Sequence, residues 1–463
     1  MNKTALTKTY TKDIQNSCLN SKKIVLSLAA ISFSASCTHA TLTPEIETYE
    51  EATNRHTKAR SASRSTDSNN KTTISSLQNS TQTVSNTGNT LVIESSGTIT
   101  ISNGGQQAVN FTQGSSTSTF LNKGTLIGGN NAASVQLGAS NNNGVTIETF
   151  NNQGIIGNGS SKFGVTVWGT NSSKSTINNF SNNGTIHSNA GESIYFGNAN
   201  ISSFANSGTI KSKQGTGVNI SQGTSIENFN NTGTIEGRMG VNVRSTINTF
   251  VNDGLIAATN DGIQINTNAN VKTLINKGTI QGFSAPIKSS GGTIETLTNE
   301  GTMKGESIGI YMNRGFVKTL TNSGTINQNN SATWAAGIKL ENGSTIENII
   351  NTGSIHSNAF GISVTDGKFG TLTIKDGGMV YAKYAAIGVG QSQTLGDLYI
   401  DGSLNNGRVS GIYSEEHGIL LENNSRTQKI ELKNGGIIKG KIDGIRLTDS
   451  ASLSGEMILS GEG

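Results

Sequence analysis

The sequence predicts an all-β chain: a right-handed parallel β-helix with about three short strands in each coil of 21–30 residues. Three observations carry that expectation. The phrase Phe-x-Asn-x-Gly-Thr-Ile returns through most of the chain, as in "FSNNGTI" (Phe180–Ile186) and "FANSGTI" (Phe204–Ile210). A Gly followed by alternating aliphatics, "GVNI" from Gly217 or "GIQI" from Gly262, returns at the same period. The composition, with 58 Gly, 2 Pro, 14% charged and 5% aromatic residues, fits strands joined by Gly and Asn turns. Disordered chains favour Pro and charge instead.

Residues 1–40 read as a signal peptide. Lys3, Lys8, Lys12, Lys22 and Lys23 precede the apolar run Ile24–Ala35, and Thr38 and Ala40 occupy the −3 and −1 positions for cleavage after Ala40. The run is shorter than the ~20 residues of a spanning helix. Lipidation at Cys37 fits poorly, because Ser34 stands where an aliphatic residue is wanted. Both cysteines, Cys18 and Cys37, leave with this segment, so neither a disulfide nor a thiolate metal site is expected. Of 34 basic and 30 acidic side chains, five lysines and one aspartate fall within 1–40, leaving 29 of each sign. The basic balance belongs to the leader, and no nucleic-acid partner is expected from it. Residues 41–85 are polar and without period, reading as a linker or N-terminal extension.

Residues 86–463 carry the repeat. Its clearest copies place Asn at Asn122, Asn152, Asn182, Asn206, Asn231, Asn252, Asn276, Asn299, Asn322 and Asn351. Weaker copies flank them at "IESSGTI" before and "LTIKDGGMV", "LYIDGSL" and "IELKNGGII" after. In extended chain the alternation turns Phe180, Asn182 and Ile186 to one face, and Ser181, Asn183 and Thr185 to the other. One unit cannot enclose such a face. Units stacked ~4.8 Å apart bury columns of Phe/Leu and Ile, and let the Asn amides pair from coil to coil. The Gly two residues after each Asn supplies either a positive φ or a close backbone approach. About 15 coils are expected, a rod of roughly 70 Å.

Catalytic chemistry on such a rod needs carboxylates or bases converging from neighbouring coils. The densest titratable cluster is Glu415, Glu416 and His417, which reads as a solvated turn before "GILL". His187 and His356, in "TIHSNA" and "SIHSNA", read as turn residues, and Asp366, Asp376, Asp397, Asp401 and Asp443 as Asp in turns near Gly. No phosphate-binding Gly loop, zinc spacing, calcium nonapeptide or nucleophile elbow is present. No catalytic, cofactor or metal site is expected, and the chain reads as not an enzyme. Trp168 and Trp334 are candidate binding platforms or partly packed rings. Insertions at "GASNNNG", "GTNSSKS" and "NQNNSATWAAG" are expected to bulge from one side as loops, the favoured place for a contact surface.

These repeats resemble the passenger regions of Gram-negative autotransporters, and most closely those of the vacuolating-cytotoxin-like group, written in F-x-N-x-GTI units followed by GIxI-type strands. The resemblance covers about four fifths of the chain. It implies export by the signal peptide, passage through an outer-membrane barrel, and display at the cell surface or release. The last residues, "MILSGEG", do not begin a run of ~10-residue alternating strands, so that barrel is expected downstream or in trans. The polar "TLTPEIETYEEATNRHTKAR" departs from the apolar pore-forming segment of the cytotoxin itself. The expected function is adhesion or colonisation through an extended face, with a host-cell surface protein or glycan as partner. A vacuolating-type toxin and a β-helical polysaccharide-acting enzyme are the alternatives.

Overall fold

The computed structural model describes residues 70–461 except 86, 140–142, 391 and 406, and beyond that span only the short strands Ile24–Leu26, Ile31–Phe33, Glu45–Ile46 and Arg64–Thr66. The chain divides into two units, Met1–Ala62 and Ser63–Gly463. In the first, the three short strands pair antiparallel in chain order. The remainder of the signal segment 1–40 and most of 41–69 lie outside the described residues.

The second unit is a right-handed parallel β-solenoid of about 15 turns, with three sheets running its length and no helix among the described residues. One coil serves for all. Thr246–Asn252 lies in sheet 1, Leu255–Ala258 in sheet 2 and Asp261–Asn266 in sheet 3, before the chain re-enters sheet 1 at Asn270–Asn276. Each residue stacks on its counterpart one coil on: Phe250 on Leu274, Asn252 on Asn276, Ile256 on Ile280 and Ile263 on Ile287. Sheets 2 and 3 each hold 15 strands. Sheet 1 is an open ladder, parallel throughout except at its start, where Arg64–Thr66 lies antiparallel on Thr72–Ile74. That turned strand covers the edge of the first coil, where unpaired N–H and C=O groups would otherwise be exposed. The first coil runs through Lys71–Ile74, Leu77–Gln78 and Gln82–Val84, so the solenoid begins within the segment read as a polar extension. Short Thr- and Gln-rich strands hide the apolar alternation there.

The core is a set of columns. Phe120, Phe150, Phe180, Phe204, Phe229 and Phe250 stack with ring centroids 4.3–5.3 Å apart, and Leu274, Leu297 and Leu320 continue the column. Each ring adds roughly 0.5–1.5 kcal/mol per stacked pair to the ~1.5–3 kcal/mol from burying its side chain. Strict alternation fails at one place. In Thr176–Ile177–Asn178–Asn179–Phe180 the two asparagines both face out between buried Ile177 and Phe180. The same two-residue step recurs in Thr146–Asn152 and Thr246–Asn252. Neighbouring coils take this step at the same place, so the strands stay in register across it and both Ile and Phe remain on the core side.

The corner glycine is explained by proximity. Gly254 has an ordinary φ, but a Cβ built on it would overlap the carbonyl oxygen of Gly233 in the coil before. The backbones of successive corners run so close that only hydrogen fits between them.

Candidate functional site

The ten repeat asparagines form one continuous amide ladder. Nδ2 of each donates to Oδ1 of the next, from Asn122 to Asn351, at 2.7–2.8 Å. Each Nδ2 also reaches the carbonyl of the residue that opens sheet 2 one coil on, Thr279 for Asn252 and Met379 for Asn351. All ten side chains are buried. The ladder therefore has a direction, with amide dipoles aligned head to tail and polarising one another. Its first acceptor, Oδ1 of Asn122, has no partner, because Ile93 occupies the position one coil before. These side chains are consumed by the fold and offer nothing to a ligand.

The cluster at Glu415–His417 is not wholly a solvated turn. His417 opens the strand His417–Leu421, in register with Ala385 and Asp443, and is only 2% exposed. Its Nδ1 lies 3.1 Å from Asp443 Oδ2, its Nε2 lies 3.3 Å from Arg446 Nη1, and the Tyr384 ring meets it edge-on at 5.7 Å. Nε2 faces the Arg446 guanidinium, and Nδ1 makes no hydrogen bond despite its nearness to Asp443. Glu415 accepts from Tyr381 Oη at 2.7 Å; that bond, then the charge of Lys441, holds its carboxyl below the usual range, and the same bond raises the Tyr381 phenol.

His187 and His356 also differ from their reading as turn residues. Each is an outward position of a sheet 2 strand, Thr185–Ser188 and Ser354–Ser357, between a buried Ile and a buried Ser. His356 stacks on Tyr381 at 4.9 Å and meets Asn327 Oδ1 at 3.1 Å. Burial, then the charge of a neighbouring lysine (Lys211 for His187, Lys383 for His356), lowers both imidazole pKa values. Of the five aspartates, Asp366 lies in the turn between Phe360–Val364 and Gly367–Ile374 and Asp376 takes a left-handed turn conformation, whereas Asp397 and Asp401 bound one strand and Asp443 opens another. Trp168 packs on Tyr195 at 4.4 Å, and Trp334 stands 49% exposed. The insertions leave from two corners rather than one side. Those around Gly138–Gly144 and Gly169–Lys174 join sheet 3 to sheet 1, and that at Asn329–Ala335 joins sheet 2 to sheet 3. Insertion length is readable in sequence; the corner depends on which strands flank it.

A feature the sequence reading missed is a groove of about 420 Å³ on the outer face of sheet 1. Through the regular coils one outward column holds polar side chains, short at Ser118 and Ser202 and long at Glu148, Asn178, Glu227, Asn248, Lys318 and Glu347. Neighbours along it bond to one another, Asn178 to Glu148 and Asn248 to Glu227. At the next two coils the column holds Gly370 and Gly396, and at the third Gln428. Beside the gap the corner between sheets 3 and 1 grows by an extra strand pair, Thr394–Leu395 on Arg426–Thr427. The groove therefore has a glycine floor, Glu347 and Gln428 at its two ends, and Lys368 and Thr394 among its walls. Two successive glycines where every earlier copy carries a side chain were the available signal. Among the described residues no group of three or more His, Cys, Asp or Glu is placed to hold a metal ion. The chain matches no family model, no curated protein and no solved structure with which it was compared.

Proposed function

We propose that this chain is an exported, non-enzymatic passenger displayed at or released from the cell surface, attaching to a host-cell protein or glycan through the flank of its solenoid. One observation carries the reading: the repeat turns its recurring Phe, Asn and Ile inward on stacking, and leaves three long, mostly polar outer faces. Such a rod holds a binding face away from its point of attachment and grows by adding coils, each needing only its neighbours. The likeness of its F-x-N-x-GTI units to autotransporter passengers supports export, and the Lys-rich leader with its apolar run supports entry by a signal peptide. Attachment of the purified chain to cultured host cells, measured beside liposome leakage and glycan cleavage, tests the proposal. Saturable attachment without leakage or cleavage is the expected result. Leakage without attachment supports the toxin alternative, and cleavage the polysaccharide-acting enzyme. N-terminal sequencing of secreted protein tests the leader, with Thr41 expected as the first residue.

A further inference from the structure

We infer that the sheet 1 groove between Glu347 and Gln428 is a binding subsite for a neutral oligosaccharide. The inference rests on the adhesion reading and specifies its ligand. Register places Glu347, Gly370, Gly396 and Gln428 in one column over four successive coils. Glu347 and Gln428 thus stand three coil spacings apart, roughly 14 Å, with two empty rungs between them. The emptiness is built into the backbone, because a Cβ on Gly370 would crowd the Glu347 carbonyl oxygen and one on Gly396 would overlap that of Phe369. The gap is thus a permanent trough rather than a place where side chains have moved aside.

The lining selects the ligand. Phe369 beneath the floor is 2% exposed and presents no ring, so neither a lipid chain nor an apolar peptide side chain finds a pocket. One ammonium, Lys368, shares its wall with one carboxylate, Glu347, so the trough is balanced in charge and poorly suited to a phosphate or polyanion. What remains is a set of hydrogen-bonding groups: the Glu347 carboxylate accepting, the Lys368 ammonium donating, the Gln428 amide doing both, and the Thr345 and Thr394 hydroxyls. Adjacent hydroxyls on pyranose rings present donors and acceptors in such alternation, and a trough along the rod axis admits a short run of rings lying lengthwise.

The test uses the full chain with two probes, chitotetraose as the neutral oligosaccharide and tetragalacturonate as the carboxylated one, read by titration calorimetry and saturation-transfer NMR. Chitotetraose is expected to bind saturably. Gln428→Ala and Lys368→Met should each weaken it about three- to tenfold, the loss of one or two hydrogen bonds. Thr345→Trp, which fills the trough from an outward strand position, should abolish binding while leaving the thermal midpoint unchanged. Failure of chitotetraose to bind, binding of tetragalacturonate alone, or binding indifferent to Thr345→Trp would each overturn the inference. Cell attachment of the same variants separates the two readings. Attachment without chitotetraose binding removes the groove and keeps adhesion; chitotetraose binding without attachment removes adhesion and keeps the groove.

Discussion

The coils from Asn122 to Asn351 and the coils that follow solve one corner in two ways. In the first region the turn from sheet 1 to sheet 2 takes three steps, Asn252 to Leu255 for example; the Asn252 amide spans it to the Gly254 carbonyl at 3.2 Å, and the other bonds go to the neighbouring coils. The N–H groups of Asp253 and Gly254 both reach the Asn231 carbonyl, at 2.8 and 3.0 Å, while the Asn252 amide reaches forward to Asn276 and Thr279. In the second region the Asn position holds Ile374, Ile400 and Leu432, stacked in the same column. The turns Ile374–Met379 and Leu432–Ile437 take five steps and close on themselves, Gly378 N–H to Lys375 O and Gly436 N–H to Lys433 O, both 2.9 Å. They use left-handed residues to do so: Asp376 and Gly377 at φ 56° and 81°, Asn434 and Gly435 at φ 49° and 75°. The weak copy before the ladder is also of the long kind, with Ile93 buried and Gly97 N–H on Glu94 O at 2.8 Å. Burial and stacking thus do not require Asn. Its amide replaces the bonds that a longer turn makes within itself, and ties each short corner to its neighbours.

This contrast can be broken at the glycines. Gly254→Ala forces a Cβ into the Gly233 carbonyl and should cost about 3 kcal/mol, seen as a lower denaturant midpoint and faster amide exchange around that corner. Gly435→Asn, where φ is 75° and no atom lies within 4 Å of a built Cβ, should cost less than about 1 kcal/mol. Equal costs would mean that the two corners do not differ as described.

Asn252→Leu comes next. It leaves Asn276 Oδ1 without its ladder donor and Asn231 Nδ2 without its ladder acceptor, an expected loss of about 2 kcal/mol that should spread to both neighbouring coils in hydrogen exchange. Loss confined to the substituted coil would refute the coupling.

A sharper test builds a new rung. Ile93→Asn alone, and deletion of Ser95 and Ser96 alone, should each destabilise the chain. Made together they convert a long corner into a short one and give Asn122 Oδ1 its missing donor. The pair should recover about 1–2 kcal/mol relative to the sum of the single changes in a double-mutant cycle. Additive costs would separate the amide from the turn length.

The smallest expected effect is one of pH. The imidazoles of His187 and His356 are held below their ordinary pKa of 6.5, so the unfolded chain binds protons more readily near that value. Their contribution is complete above the unfolded pKa and declines as pH falls through and below it. His356→Gln should flatten part of the slope of thermal midpoint against pH between 7 and 5. An unchanged slope would remove His356 from the account.

Much of this molecule was legible in its residues for a simple reason: a solenoid repeats the same local problem, so a motif read in one coil holds in the next. Phe180, Asn182 and Ile186 lie on the face their spacing predicts. Legibility failed where neighbours rather than spacing decide. His417 looked like a turn residue because it follows two glutamates, yet its strand begins one position earlier than the apolar run. The coil at Lys71–Val84 escaped notice because its strands are short and polar. The groove is invisible in any one coil, since it exists only when Gly370 and Gly396 fall in one column.

The sequence alone determined the periodic part: three strand pieces per unit, the inward face of each, and the need for units to stack, because alternation and burial are local properties of an extended chain. Only the tertiary structure decided which corner each insertion leaves, whether a corner glycine serves close approach or a left-handed φ, which way the amide ladder points, and where the rod's outer face opens. Those outcomes depend on register between residues 21 to 34 apart in sequence. Register is fixed by the coils on either side of a residue rather than by its neighbours in the chain.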